Sequence, residues 1–372
     1  MKLHRYARYG AAAAAAVLVL GLAAPTASAD PNPVTDYRQL AGVGSDTTQD
    51  VMNGVGLTVN GGATIASWDA RGTSTITTKD PATNANCTGI VRPDGSGQGR
   101  SALRASEGEG QWNGKTITNC VDFARSSSSP STPTATGNYT YIPFGVDAVT
   151  YAVHSNAVSD LGFPTTLTAQ QLEGIYKCVI RSVNGIAVTP LLPQSGSGTR
   201  AFWLSKVDIL EDELPAYPCI QQRNNTIQEH DGRVLTYDFA QNKADIVPFS
   251  VAQYIAQTNH GKTIGGVTVN TEDRRGSAVL GRINGVAPTT GTDPKLNTSF
   301  PIIRDVYNVV PTHDIEGAAP DSTIVNTFVG ANSAVCQQSA VIQAFGFGFR
   351  TTSVPGDLLK QACGATGLRA NS

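Results

Sequence analysis

Charge is scarce in this sequence. Asp, Glu, Lys and Arg make up 15% of its 372 residues, against about a quarter in an average soluble domain. The 27 basic residues do not outnumber the 29 acidic ones, and the formal net charge is −2. A chain without a basic excess lacks the surface on which phosphate-backbone recognition depends, which argues against a nucleic-acid partner. Histidine is also rare. The five, at 4, 154, 230, 260 and 313, form no H-x-x-x-H pair, and no two of the six cysteines stand in C-x-x-C spacing, so no metal site is expected. Beyond the first 24 residues no apolar run approaches the roughly 20 residues that a membrane span requires.

What is abundant is glycine (38) and proline (20), with 40% hydrophobic residues, a globular and loop-rich composition rather than a disordered one. Residues 1–10 are basic, residues 11–24 form an apolar run too short to span, and Ala27-Ser28-Ala29 reads as a small-residue cleavage site. Residues 1–29 are therefore expected to be a signal peptide, with Asp30 as the mature N-terminus. Loss of Lys2, Arg5 and Arg8 leaves 24 basic against 29 acidic residues, a net charge of −5 on 343 residues. No cysteine lies at the junction to carry a lipid anchor, so a freely secreted, extracellular product is expected. That length is too great for one ordinary domain.

Six cysteines in an exported chain favour three disulfides. Fifteen pairings are open in principle. The local set is expected: Cys87 with Cys120, Cys178 with Cys219, and Cys336 with Cys363. Its loops of roughly 30 to 40 residues would each add about 3 to 4 kcal/mol in the chain-entropy model.

Along the chain, a β-like stretch at 40–43 runs into Gly44-Ser45-Asp46-Thr47-Thr48 and a helix start, with Ser45 or Asp46 as its cap. GSGQG at 95–99 precedes a helix expected at 100–106. Residues 120–124 form a short strand, 125–136 a loop, and 141–153 an alternating β-branched and aromatic strand. Residues 167–178 read as a helix capped by Thr168, with Leu172, Ile175 and Tyr176 on one face. A strand at 188–193, the SGSGT turn at 195–199 and a helix at 200–210 repeat the strand, turn and helix order. A further strand at 301–311 and a helix from Ser322 follow. Strands alternating with helices indicate an α/β chain with largely parallel pairing.

Three distant segments thus place small hydroxyl residues and glycines before a helix: Ser45 to Thr48, Gly95 to Gly99 and Ser195 to Thr199. The unpaired N–H groups and partial positive charge of a helix start favour an oxyanion, and glycine admits it close to the backbone. Arg125 and Arg200 stand ready for bidentate bonds to a tetrahedral anion. One cap before a helix is ordinarily only a cap; the recurrence is what points to a shared ligand. Other chemistries fail on spacing. Ser197 has Ser195, and Ser96 has Asp94, where a nucleophile elbow needs glycine. Gly114-Lys115-Thr116 lacks the first glycine of a P-loop because position 109 is Glu109, and Arg100 breaks the dinucleotide-binding glycine pattern. Glu107 and Glu109 in a glycine-rich loop read as solvated carboxylates rather than a glycosidase pair.

The order of segments resembles that of the phosphate-binding substrate-binding proteins of ABC transporters, within the type 2 periplasmic-binding-protein fold. The resemblance covers nearly the whole mature chain: GSDTT, GSGQG, DFARSS, YIPFGVDAVTYAV, LTAQQLEGIYKC, SGSGTRAFWL, DIVPFSVAQYIA and PIIRDVYNVVP. It implies an α/β protein of two lobes, with mixed sheets flanked by helices and joined by crossing strands, closing over a desolvated oxyanion. Lobe one would be 30–146 plus 299–372 and lobe two 147–298, with hinges at 145–148 and near Pro301. Carried over, Thr47 and Thr48 match the first loop, Ser96 and Gly97 the second turn, Ser126 and Ser127 the segment after DFA, and Ser197, Gly198 and Thr199 the second-lobe loop. The implied partners are phosphate or a similar oxyanion and an ABC permease. The protein would be a monomer with no cofactor and no catalysis.

Two segments depart from the family pattern. Where relatives carry R-x-D-G-S-G-T, this chain has Pro193 and Ser195 in place of the arginine and aspartate, and Arg200 is expected to supply the missing charge. Where the phosphate binders carry an aspartate that accepts the proton of hydrogen phosphate, this chain has Ser127. A buried carboxylate rejects a fully ionised anion because two acceptors then face each other. A serine does not, so the filter is lost or relocated, with Asp46 the one nearby acid in the first loop. Alternatives are an extracellular interaction protein that kept the fold without a ligand, and a secreted phosphoester hydrolase.

Overall fold

In the computed structural model, residues 30–371 are described apart from Pro33 and Ala135; the signal peptide expected at 1–29 lies outside the described residues. The first strand, β1 (Leu40–Gly44), is wholly buried and leads through a four-residue turn into helix α1 (Gln49–Thr58). Val51, Met52 and Val55 of α1 face the core, at the spacing of one helical stripe. Strand β2 (Ile65–Ser67), helix α2 (Ser96–Ser106) and strand β3 (Phe123–Ser126) complete this part of the sheet. β1 lies between β2 and β3 and is parallel to both.

Strand β4 (Tyr139–His154) is the longest element, and every residue from Tyr139 to Val153 is buried. Its alternation does not mark a solvent-facing side, because packed layers cover both faces. Residues 139–148 pair antiparallel with β7 (Ile303–Pro311), and residues 149–153 pair antiparallel with β6 (Lys243–Ser250). β7 returns beside β3, while β5 (Ile186–Pro190) runs parallel to β6. The continuous order is β2-β1-β3-β7-β4-β6-β5, with the two-residue strand Ser182–Val183 antiparallel beyond β5, so pairing is mixed rather than largely parallel. The antiparallel contacts arise where β4 and β7 cross from one half of the molecule to the other.

The fold is α/β and two-lobed, with a hydrophobic core on each side of the crossing. On one side Val43, Leu103, Tyr141 and Tyr307 form one cluster, and Val51, Phe123, Phe328 and Phe345 another. On the other, Tyr151 packs with residues of α3 (Ala169–Tyr176) and α4 (Gly198–Lys206). Helix α3 starts where expected: Thr168 Oγ1 accepts from Gln171 N at 3.0 Å, and Gln171 Oε1 accepts from Thr168 N at 2.8 Å. This capping box stabilises the helix by about 1 kcal/mol. Trp203 of α4 is fully buried with its ring 5.5 Å from Tyr176, and truncating it to alanine would cost about 3 to 5 kcal/mol.

All three disulfides take the local pairing, with Cα separations of 5.2, 5.7 and 5.8 Å for Cys87–Cys120, Cys178–Cys219 and Cys336–Cys363. Among the described residues no helix is long and apolar enough to cross a membrane.

Candidate functional site

The turns singled out in the sequence meet at the crossing. After β1 the chain buries Ser45, Asp46, Thr47 and Thr48. Thr48 occupies the N-cap of α1 without a side-chain cap bond, and its Oγ1 has no partner. The second turn brings Ser96 in as the first residue of α2, four residues earlier than the sequence indicates, because Gly95 adopts φ +123°. A side chain there would strike Gly196 O at 2.6 Å, so only glycine fits. Ser127, just past β3, donates its backbone N–H to Ser96 Oγ at 3.0 Å, and the two hydroxyls lie 3.3 Å apart. At the start of α4, Ser197 Oγ accepts from Arg200 N at 2.9 Å as a true cap. Gly198 then approaches so closely that a Cβ would lie 2.3 Å from both Ser96 Oγ and Ser127 Oγ.

Beside this contact, Thr47 Oγ1 and Thr199 Oγ1 stand 3.2 Å apart although 152 residues separate them. Both donate to one carboxylate oxygen, Glu229 Oε2, the Thr199 bond measuring 3.0 Å; Glu229 Oε1 is buried without a partner. Thr199 Oγ1 also accepts from Arg304 Nη2 at 2.9 Å. Arg304 projects from β7 and is held by Asp147 of β4 through bonds of 2.8 and 3.1 Å. Asp147 in turn accepts from Ser250 Oγ and Ala252 N at 3.0 Å, at the start of α5 (Val251–Thr258). Arg304 Nη1 is buried and unpartnered. The cluster therefore combines neutral hydroxyl donors, one guanidinium oriented by buried Asp147 and keeping a free N–H, and a second buried carboxylate, Glu229, in a site closed to bulk water.

A family model described as a PBP superfamily domain matches residues 34–326. The chain belongs to the PBP superfamily. Among solved structures it is similar to an ABC-type phosphate transport receptor from Vibrio cholerae, at 13% identity and a TM-score of 0.50, covering 84% of this chain and 100% of that one. It is also similar to a putative phosphate ABC transporter substrate-binding protein with bound phosphate from Clostridium perfringens, at 15% identity and a TM-score of 0.46, covering 83% and 98%. At these identities the likeness concerns the fold. No curated protein matches the chain in sequence.

Within this PBP-superfamily fold several expected site residues do other work. Arg125 lies in β3, not in a loop, because β1 pairs with β3 as far as Gly44 opposite Arg125. Its guanidinium is fully buried and donates to Trp68 O at 2.8 Å, Ser67 Oγ at 2.9 Å, Gly42 O at 3.2 Å and Gly44 O at 3.3 Å. It braces the first turn from behind; burial lowers its pKa to about 10. Ser126 Oγ accepts from Arg100 Nη1 at 3.0 Å and donates to Ser128 O at 2.8 Å, so it too is committed. Gly97 N donates to Gly196 O at 3.2 Å and is not free for a ligand. Arg200 turns away from the cluster: its Nε meets Glu211 at 3.0 Å and its Nη1 meets Pro193 O and Gln222 Oε1 at 2.8 Å. The cap geometry at Ser197 directs it there.

Asp46 neither caps α1 nor faces the hydroxyls. It pairs with His230 at 3.3 Å, Arg274 at 3.6 Å and Arg71 at 3.7 Å. Burial alone would raise its pKa, but the neighbouring His230, Arg274 and Arg71 hold its carboxyl well below the usual range. Asp94, beside Gly95, is raised to about 6 by burial, with a hydrogen bond from Gln194 opposing the shift.

Sequence reasoning missed Arg304, Asp147 and Glu229. The first two had a signal: each is an ionic residue in a strand of otherwise buried type, and such exceptions need a partner. Glu229 lies in a short polar stretch 30 residues past Thr199, and nothing in its spacing set it apart.

Proposed function

We propose that this chain is a secreted solute-binding protein that captures an inorganic oxyanion, phosphate foremost, without catalysis. Lobe one is 30–146 plus 299–372 and lobe two is 147–298, with hinges at 145–148 and near Pro301. The observation that carries this reading is the convergence of Thr47, Ser96, Ser127 and Thr199 hydroxyls from four segments on the start of α4. Thr48 Oγ1 and Arg304 Nη1, both buried without partners, add donors that an anion would satisfy. Arg304 takes the part expected of Arg200, and the Asp147 pair fixes its orientation. An ABC permease is the proposed receiver and the protein works as a monomer.

Glu229 takes the acceptor part expected of an acid in the loop after β3 or of Asp46. Its carboxylate lies against both threonines, so an incoming anion must bring a proton for Glu229 to accept. Hydrogen phosphate meets that condition and sulfate does not.

Calorimetric titration of ligand-stripped protein with phosphate, sulfate and a phosphate ester tests the reading. Phosphate binding with sulfate at least about tenfold weaker is expected. One observation favours a second reading: Glu229 already occupies the threonine hydroxyls as an internal carboxylate. If no oxyanion binds and none is turned over, the chain is instead an interaction protein that keeps the fold.

A further inference from the structure

Next to the hydroxyl cluster lies a group of buried charges that the oxyanion reading leaves without a task. The Arg274 side chain is 1% exposed, and its Nε and Nη1 have no hydrogen-bond partner. Its nearest carboxylates, Asp46 and Glu272, stand at 3.6 and 4.0 Å, beyond hydrogen-bond reach. Arg71 is less enclosed, 25% exposed, with an unpartnered Nε, Asp46 at 3.7 Å and Glu272 at 3.5 Å. A buried guanidinium without acceptors is costly, and oxygens from outside the chain are what such a site calls for.

Both arginines line a cavity of 240 Å³ that is also lined by Asp50, Asp69, Asn270 and Glu272. The carboxyls are only partly matched: Asp69 Oδ1 accepts from Asn53 Nδ2 at 2.8 Å and Asp50 Oδ2 from Gln253 Nε2 at 3.3 Å. Burial, followed by repulsion from Asp50, raises Asp69 to about 7; burial also raises Asp50, against the attraction of Arg274. An inorganic anion between the arginines would bring negative charge beside Asp50, Asp69 and Glu272. A simple cation would sit beside two guanidiniums. A molecule carrying both charges, separated by a few bonds, matches both sides. The volume equals that of about eight liquid waters, room for about five to ten heavy atoms.

We propose that this cavity binds a small zwitterion of the α-amino-acid class, its carboxylate against Arg274 and Arg71 and its ammonium against Asp50 and Asp69. The lining residues come from two separate stretches, 49–72 and 270–274. Occupation would tie these together whatever the hydroxyl cluster binds.

Calorimetry on the ligand-stripped mature chain with glycine, L-serine and L-glutamine is the test, with acetate and methylammonium as single-charge controls. At least one amino acid should bind about tenfold or more tightly than either control. Arg274→Gln and Asp50→Asn should each weaken that binding about tenfold or more, while phosphate affinity stays within about twofold. Acetate binding as tightly as glycine would make the cavity a plain anion site and overturn the proposal. Absence of heat with all three amino acids would leave only water there and overturn it too. Should Arg274→Gln fail to fold, Asp50→Asn and the ligand series on the unaltered protein still decide the matter. Phosphate titration in the same samples keeps this result separate from the fate of the oxyanion reading.

Discussion

The two polar regions beside β1 solve the problem of burial in opposite ways. In the cluster around Thr47 and Thr199, neutral hydroxyls touch one another and one carboxylate at ordinary hydrogen-bond distance. Around the cavity lined by Arg71 and Arg274, guanidiniums face the carboxylates of Asp46 and Glu272 at 3.5 to 4.0 Å with no hydrogen bond between them. Neutral donors can be brought together before a ligand arrives at little cost, because each already has a partner. Charges held apart keep their field directed into the space between them, at a desolvation cost that only a complementary guest removes. The first region is largely satisfied within itself; the second is not.

The largest expected effect comes from denying the first region its closure. Gly198→Val places carbon where two hydroxyls now stand, so phosphate affinity in calorimetry should fall by about a hundredfold or more, because the closed state becomes a minor population. Far-ultraviolet circular dichroism should be unchanged. Next is Arg304→Met, which leaves Asp147 buried beside its helix-start bonds without a cation. Denaturant unfolding should register a loss of about 3 to 5 kcal/mol, and phosphate binding should go with it.

A change of selectivity should follow Glu229→Gln. With the obligatory acceptor gone, sulfate affinity should rise about tenfold while overall stability moves by less than about 1 kcal/mol. If sulfate stays excluded, Glu229 is not the filter.

The charged region makes a pH prediction. Burial places Asp69 at about 7, and outside that cavity Asp94 and Asp305 each at about 6. All three are raised above the unfolded value, so between pH 8 and pH 5 the folded chain binds more protons than the unfolded one. Stability therefore falls as pH rises through this window. The melting temperature should be higher at pH 5.5 than at pH 8, and Asp69→Asn should shrink the difference. The smallest effect on binding is reserved for Arg200→Ala. Phosphate affinity should be unchanged, although losing a side chain that is 4% exposed and bonded to Pro193 O and Gln222 should cost about 1 to 3 kcal/mol in denaturant unfolding.

Much of the scaffold was legible in the sequence because its signals are local. Thr168 announces a helix cap in its own turn, and the structure forms it, with Gln171 closing the box. The cysteines pair with their nearest neighbours in sequence, where loop closure is easiest. Thr47, Ser96, Ser127, Gly198 and Thr199 stand out in their own turns, and the structure brings them together. The arginines were misread for an equally physical reason. Arg125 and Arg200 sit next to the right turns, but strand pleat and cap geometry decide where their side chains go, and both go elsewhere. Arg304 and Glu229 are remote from every turn in sequence and reach the site only because β7 and the segment before Asp231 fold back onto it.

By itself the sequence determined the kinds of group available: few charges, many small hydroxyl residues placed before helices, and cysteines spaced for local bridges. Those are properties of short stretches, set by helix starts, glycine turns and loop lengths. Only the tertiary structure decided which cation faces the hydroxyls, which carboxylate lies against the threonines, and that Arg71 and Arg274 share a cavity with Asp50 and Asp69. Electrostatic partners act across a few ångströms of space, and the crossing of β4 and β7 brings residues more than a hundred positions apart within that range.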